Sequence, residues 1–323
     1  MASLADVPTP ADGRIAVVGT GFIGRSWAIV FARAGFDVTL YDASASQCES
    51  ARGYIGEMLP ELAKAGLLNG NAPDEVMERI ATATDLAGAL DGAFYVQENA
   101  PEQLELKRSV FAELGRLTDE QAILASSTSA ILPSRFSGEL PCASRCLVVH
   151  PINPPHLVPS VEVVPGQDTA PEVVVRTAAL MRAVGQSTVV MHKEIDGFIV
   201  NRLQGALLHE AFRLFEGGYA DMESIDICVR DGLGLRWSFM GPFETIDLNA
   251  PGGIKDYIRR YGPFYRSLWP DGGALPDWTA SEAQAERERS QQLPRGEMLQ
   301  RQGWRDRKLI ELAATRHNLK QDR

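Results

Sequence analysis

Hydrophobic and polar residues along this chain switch back and forth between a strand period and a helix period, and after Gly197 keep to the helix period alone. Arg14 to Val18 (RIAVV) is a short β-branched run fit for a buried strand, and Arg25 to Ala34 (RSWAIVFARA) has helical spacing that Gly35 stops. Val38 to Tyr41 predicts a second strand. From about Ser46 to Ile80 the spacing is helical, ESARGYIGEMLPELAKAGLL forming one helix and Pro73-Asp74-Glu75 opening another. Strands are expected again at Ile80 to Thr82, Gly92 to Gln97 and Ala122 to Ala125, with a helix from Glu102 to Leu117. Leu147 to Val149 and Val161 to Val164 read as an outgoing and a returning strand, Pro171 to Val184 as a helix, and Thr188 to Met191 as a last strand. Strands alternating with helices predict a parallel, doubly wound α/β sheet over 14–196, and the remaining 197–323 an all-helical domain. Within it, Asp221 to Val229 reads as a helix and Gly232 to Pro242 as a loop.

A length of 323 residues fits two domains, each with a core of its own. The net charge of -10 and pI near 5.1 oppose binding to nucleic acid or an anionic membrane. No apolar run approaches the roughly 18 residues of a membrane span. The opening MASLADVPTPADG lacks a signal peptide's basic start and apolar core, so 1–13 is expected to be a disordered leader on a cytoplasmic protein. Cys48, Cys142, Cys146 and Cys228 have no metal-ligand spacing and read as reduced thiols. His209-Glu210 would suit a zinc helix, but Arg213 stands where the second His belongs, so no metal is expected.

The first candidate chemistry is strand, turn, helix, strand, acid. In Gly19-Thr20-Gly21-Phe22-Ile23-Gly24, Gly19 permits the tight turn, Gly21 lets a pyrophosphate reach the backbone, and Gly24 lets helix and strand pack closely. The helix start at Phe22 and Ile23 supplies amides and a positive dipole end to phosphates. Asp42 would accept hydrogen bonds from an adenosine ribose and repel a 2'-phosphate, which favours NAD over NADP. These features make the first domain Rossmann-type, though Asp42 reads also as a strand-end turn residue.

The second is LVVHPINPPHLVPSVEVV, from Leu147 to Val164. Pro151, Pro154, Pro155 and Pro159 exclude a helix and restrict the loop, which places His150 at one strand end and Glu162 on the returning strand, as a base and its orienter. A capped core histidine with a surface Glu is the plainer alternative. The rule that ligands meet the carboxyl ends of strands puts Glu98, Lys107 and the run Ser126-Ser127-Thr128-Ser129 on the same side, although that run could be only a polar turn. Asn201 falls in the first turn of a long helix, where solvent is its ordinary partner, and Arg236 stands beside Trp237 in the Gly-rich segment, otherwise a surface turn.

Taken together, GTGFIG with Asp42, the SSTS run, HPINP, Glu162 and GFIVNRL resemble the 3-hydroxyacyl-CoA dehydrogenase superfamily. GLGLRWSFMGP, ETIDLNAPG from Glu244 and GWRDRKLIELA from Gly303 resemble its lambda-crystallin branch, the L-gulonate 3-dehydrogenases. The resemblance implies roles for Ser129, His150, Glu162 and Asn201 in catalysis, cofactor contacts at Glu98 and Lys107, and a homodimer formed through the helical domain. It also implies oxidation of a 3-hydroxyl, with the hydride passing to NAD and the proton to His150, while Ser129 and Asn201 hold substrate oxygens. Where acyl-CoA enzymes have a shorter, Arg-free loop, this chain has Arg236, whose planar fork suits a free carboxylate that a thioester lacks. A small 3-hydroxy acid such as L-gulonate is therefore expected. 3-Hydroxybutyryl-CoA is the runner-up, and L-carnitine is open because Trp237 and Phe239 could cage an ammonium. A structural, crystallin-like NAD-binding protein is the non-enzyme alternative, and the intact Ser129, His150, Glu162 and Asn201 set argues against it.

Overall fold

β1 (Arg14–Val18) sits inside an eight-stranded sheet and is buried on both faces, as a parallel strand covered by helices must be. Ile15 and Val17 join one hydrophobic cluster while Ala16 and Val18 join the other, so a single strand's alternation feeds both layers. The other strands are β2 (Val38–Tyr41), β3 (Ile80–Thr82), β4 (Ala93–Glu98), β5 (Ile123–Ser126), β6 (Cys146–Pro151), β7 (Ser160–Pro165) and β8 (Ser187–Val190). Their order is β3-β2-β1-β4-β5-β6-β7-β8. Pairing is parallel from β3 across to β6; β7 returns antiparallel to β6 and pairs parallel with β8. The structure, a computed structural model, describes residues 8–10, 13–268, 278–292, 294–298, 300–305, 307–308 and 315. The expected leader over 1–13 and the motif from Gly303 to Ala313 lie largely outside the described residues.

The helices of this part are α1 (Phe22–Arg33), α2 (Ala45–Lys64), α3 (Pro73–Glu78), α4 (Leu86–Leu90), α5 (Leu104–Leu117), α6 (Pro133–Ser137) and α7 (Pro171–Ala183), followed by α8 (Val200–Glu216). α1 starts inside the glycine motif, earlier than apolar spacing alone placed it. α4 and α6 are too short for periodicity to mark. Two compact units, 1–206 and 207–323, divide within α8, whereas composition placed the boundary at Asp196-Gly197. The first turn of α8 stays with the first unit because the Ile199 and Val200 amides both donate to Glu162.

In the second unit α9 (Met222–Ile227) runs into a π-helical stretch, Cys228–Leu233, and then α10 (Gly234–Trp237). This corrects the loop expected over 232–242. Glycine costs a helix only about 1 kcal/mol, and Pro242 opens α11 (Pro242–Leu248) at the position where proline is tolerated. α12 (Gly253–Ser267) and α13 (Trp278–Gln292) follow. The buried Asp247 accepts from the Ile254 amide and pairs with Arg289 at 3.4 Å. No described helix is long and apolar enough to cross a membrane.

At the carboxyl end of β4 a charge pair is buried completely. Lys107 Nζ donates to both Glu98 oxygens at 2.9 and 3.1 Å, and the two side chains are 1% and 0% exposed. Glu98 also accepts from the Ala100 amide and the Ser126 hydroxyl, and Lys107 also donates to the Ala100 carbonyl. Removing one member leaves a desolvated charge, so Lys107→Met should lose about 3 to 5 kcal/mol of unfolding free energy in urea titrations. Glu98→Gln combined with Lys107→Met should recover much of that; a Lys107→Met variant as stable as the parent would show that the pair does not hold this strand end.

Candidate active site

The β6/β7 hairpin sets His150 directly across from Glu162 in register, which is what the twelve-residue spacing encodes. Both are buried. His150 Nδ1 lies 2.8 Å from Glu162 Oε2; a carboxylate only accepts, so Nδ1 carries the proton and Nε2 keeps its lone pair. Glu162 Oε1 accepts the Ile199 and Val200 amides at 2.7 and 3.0 Å. Burial alone would raise this carboxyl, but the hydrogen bonds from His150 and the two amides outweigh it and hold it below the usual range.

Two consecutive left-handed residues, Gly197 (φ 79°) and Phe198 (φ 49°), turn the chain so that those amides meet Glu162. For a phenylalanine this conformation is strained, and full burial of its ring holds it. That ring packs 5.4 Å from the imidazole, centroid to centroid. Sequence reading missed Phe198; the Gly-Phe step at the start of GFIVNRL was the available signal.

Ser129 and Asn201 are brought together, since Asn201 Nδ2 donates to the Ser129 carbonyl at 2.8 Å and Ser129 itself is exposed. The hydroxyl run is more than a turn. Ser127 receives Trp27 Nε1 and Gln97 Nε2 and donates to Asn99, while the Ser129 and Ala130 amides donate to Glu102 Oε1 at 3.0 Å each. Thr128 donates to the same oxygen. Glu102 was another omission, because an acid just ahead of α5 looks like an ordinary helix-start charge.

The glycine turn is built for a phosphate-bearing group. A Cβ on Gly24 would overlap the Gly19 carbonyl, whereas nothing among the described residues lies within 4 Å of where a Gly21 Cβ would stand. No side chain caps the amides at the start of α1, which are left for an anion. Asp42, ending this turn's side of the sheet beyond β2, accepts from the Thr20 amide at 2.8 Å and the Ser44 amide at 3.1 Å. Gly19, Gly21, Phe22, Ile23, Gly24 and Asp42 thus share one edge. Glu98 and Lys107, expected as cofactor contacts, are engaged with each other inside the domain. Arg236 lies in α10 of the second unit, half-buried.

Residues 14–195 match the 3-hydroxyacyl-CoA dehydrogenase NAD binding domain, and 197–270 the C-terminal domain of the same enzymes. The chain belongs to the 3-hydroxyacyl-CoA dehydrogenase family. A lambda-crystallin homolog of Bos taurus is 42% identical to it, over 98% of this chain and 100% of that one. An L-carnitine dehydrogenase of Streptomyces griseus is 39% identical over 79% of this chain and 76% of its own. Among solved structures, a 3-hydroxybutyryl-CoA dehydrogenase from Escherichia coli is 32% identical with a TM-score of 0.65, covering 78% of this chain and 53% of that one, so this chain spans about half its length. Like the rest of the 3-hydroxyacyl-CoA dehydrogenase family, this protein is an NAD-dependent oxidoreductase.

The glycine turn from Gly19 to Gly24 and Asp42 would hold NAD, which would supply the hydride acceptor. The geometry leaves His150 Nε2 able to accept a proton, and Glu162, which fixes the ring, would stabilise the imidazolium that such a transfer forms. His150→Gln should therefore abolish turnover with NADH binding retained in fluorescence titrations, and Glu162→Gln should lower kcat by about a hundredfold or more. Folding lowers the Glu162 carboxyl, so its contribution to stability is complete above the unfolded carboxylate value near pH 4.3 and is lost as pH falls through the folded value. Denaturation midpoints taken at falling pH should accordingly show a shallower acid limb in Glu162→Gln; turnover that survives in His150→Gln would place the base elsewhere.

Proposed function

We propose that this dehydrogenase oxidises the 3-hydroxyl of a small free L-3-hydroxy acid, L-gulonate being the candidate, with Arg236 taking the carboxylate. The observation that carries this is the state of Arg236. Half-buried on α10, its guanidinium has no hydrogen bond or ion pair among the described residues, although neighbouring arginines do: Arg230 meets Asp231 and Glu223, and Arg301 meets Glu244. A partly desolvated, unpaired planar fork is suited to a carboxylate and has no counterpart on a thioester. Similarity to lambda-crystallin homologs over nearly the whole chain supports the same reading. His150 would act as the base, Glu162 as its orienter, and Ser129 and Asn201 as the groups that hold substrate oxygens, with Gly19 through Gly24 and Asp42 on the cofactor.

L-Carnitine is the second reading, on the strength of the related carnitine dehydrogenases, and it too has a free carboxylate. Phe239, half of the aromatic cage this would need, packs edge-on against Trp304 with centroids 5.5 Å apart, which weakens a cage shared with Trp237. A 3-hydroxybutyryl-CoA activity remains the thioester alternative. Arg236→Ala should lower activity on the free acid by tens to thousands of fold, from roughly 2 to 5 kcal/mol of lost binding and orientation, and Arg236→Lys should recover only part. Turnover of the acyl-CoA should change far less. An unchanged ratio of the two activities would defeat the carboxylate role and favour the thioester.

The working form we infer is a homodimer through the helical part. α8 has no buried residue among those described, and it leaves Leu208, Phe212 and Phe215 exposed along one apolar stripe, with Leu203 exposed on another face. A second copy of the chain would cover it in the symmetric way that a two-fold interface requires. Light scattering should give twice the chain mass for the parent and the single mass for Phe212→Glu; a parent that runs as a monomer at micromolar concentration would remove this reading.

A further inference from the structure

His156 lies in the loop that His150 opens, and it is buried to 3% exposure with neither ring nitrogen hydrogen-bonded among the described residues. Two arginines of α1 attend it. Arg33 Nη1 donates to the His156 carbonyl at 2.8 Å and to the Leu67 carbonyl at 3.4 Å. Arg25, one residue past the glycine turn, lies over the rings of Tyr54 and Phe22 at 3.6 and 4.6 Å from their centroids, and its Nε is buried without a partner. Neither arginine pairs with a carboxylate among the described residues. Burial first, then the charges of Arg33 and Arg25, push the imidazole down to about 4, so it stands neutral beside them and can offer an N–H.

A neutral, unpartnered imidazole in a packed interior is unfavourable, and an apolar ring of the same size would be tolerated better. Cationic stacking holds the Arg25 fork by its faces and leaves its buried Nε without a hydrogen-bond partner. Arg25 can only donate, and the neutral His156 ring offers one N–H beside one accepting nitrogen. Along the chain these donors border both the phosphate-binding turn and the loop of the catalytic base.

We propose that Arg25 and His156, backed by Arg33, form a binding site for an oxyanion, the carboxylate of the substrate or the pyrophosphate of the cofactor. The shared chemistry is a compact group of acceptor oxygens. The pyrophosphate outcome leaves the role given to Arg236 untouched, whereas the carboxylate outcome would replace it.

Inorganic phosphate is the probe. Calorimetric titration into the full chain should show saturable one-to-one binding, which Arg25→Gln and His156→Phe should each weaken by about tenfold or more. His156→Phe should at the same time melt at a higher temperature than the parent, because the unpartnered imidazole is gone; weaker binding with greater stability is a combination that a purely structural histidine cannot give. Loss of phosphate binding under saturating NAD would assign the site to the cofactor pyrophosphate. Binding that persists with NAD but is competed by the hydroxy acid would assign it to the substrate carboxylate. The proposal is overturned if phosphate does not bind saturably, or binds equally to the parent and both variants, as it would if ordered water alone satisfied His156.

Discussion

One buried carboxylate organises the reacting side of this enzyme. Glu162 has no solvent exposure, and an uncompensated charge in that position would cost several kcal/mol. It is tolerated because both oxygens are engaged: one fixes the His150 ring, the other accepts two amides at the start of α8. The orientation of the His150 ring and the path of the chain into α8 are therefore consequences of the same charge. The strained Phe198 belongs to this arrangement, since its left-handed turn aims the amides and its ring packs against the imidazole.

Two other acids play similar parts along the sheet's carboxyl edge. Glu98 closes the end of β4 through Lys107, Ser126 and the Ala100 amide, and Glu102 gathers the amides of Ser129 and Ala130 together with the Thr128 hydroxyl. The Ser129 loop is thus held by the chain's own groups, and Asn201 meets its carbonyl from α8. Preorganisation of this kind lets a site hold its geometry without ordering loops during the reaction.

How much of this could be read in advance follows from the range of each interaction. The strands, the glycine turn with Asp42 and the His150–Glu162 pair are written locally or by a hairpin whose register the prolines and alternation specify. Glu102 was not legible because its partners lie 26 to 28 residues away, and only the packing of β4 beside β5 brings them near. Glu98 and Lys107 were expected as cofactor contacts, and nothing in a one-dimensional pattern says that two opposite charges nine residues apart will also pair with each other inside the domain. The helical course of 228–237 was hidden by glycines that usually mark turns, and the φ of Phe198 by a residue type that rarely adopts it.

A contrast between saturated and open groups runs through the molecule. The chain carries 42 acidic against 32 basic residues, so carboxylates to pair with are plentiful. The buried acids Glu98 and Glu162 are fully engaged, whereas the side chains of Arg25, His156 and Arg236 have no hydrogen-bond or ion-pair partner among the described residues. Unpaired donors in partly dry surroundings are costly in a fold that could have closed them with one of its many acids. Their retention is understandable if the missing partners arrive from solution, and the arginine forks, which only donate, select partners that accept. An anionic ligand is the chemistry such open cations recognise, and they stand out in a chain of net charge -10.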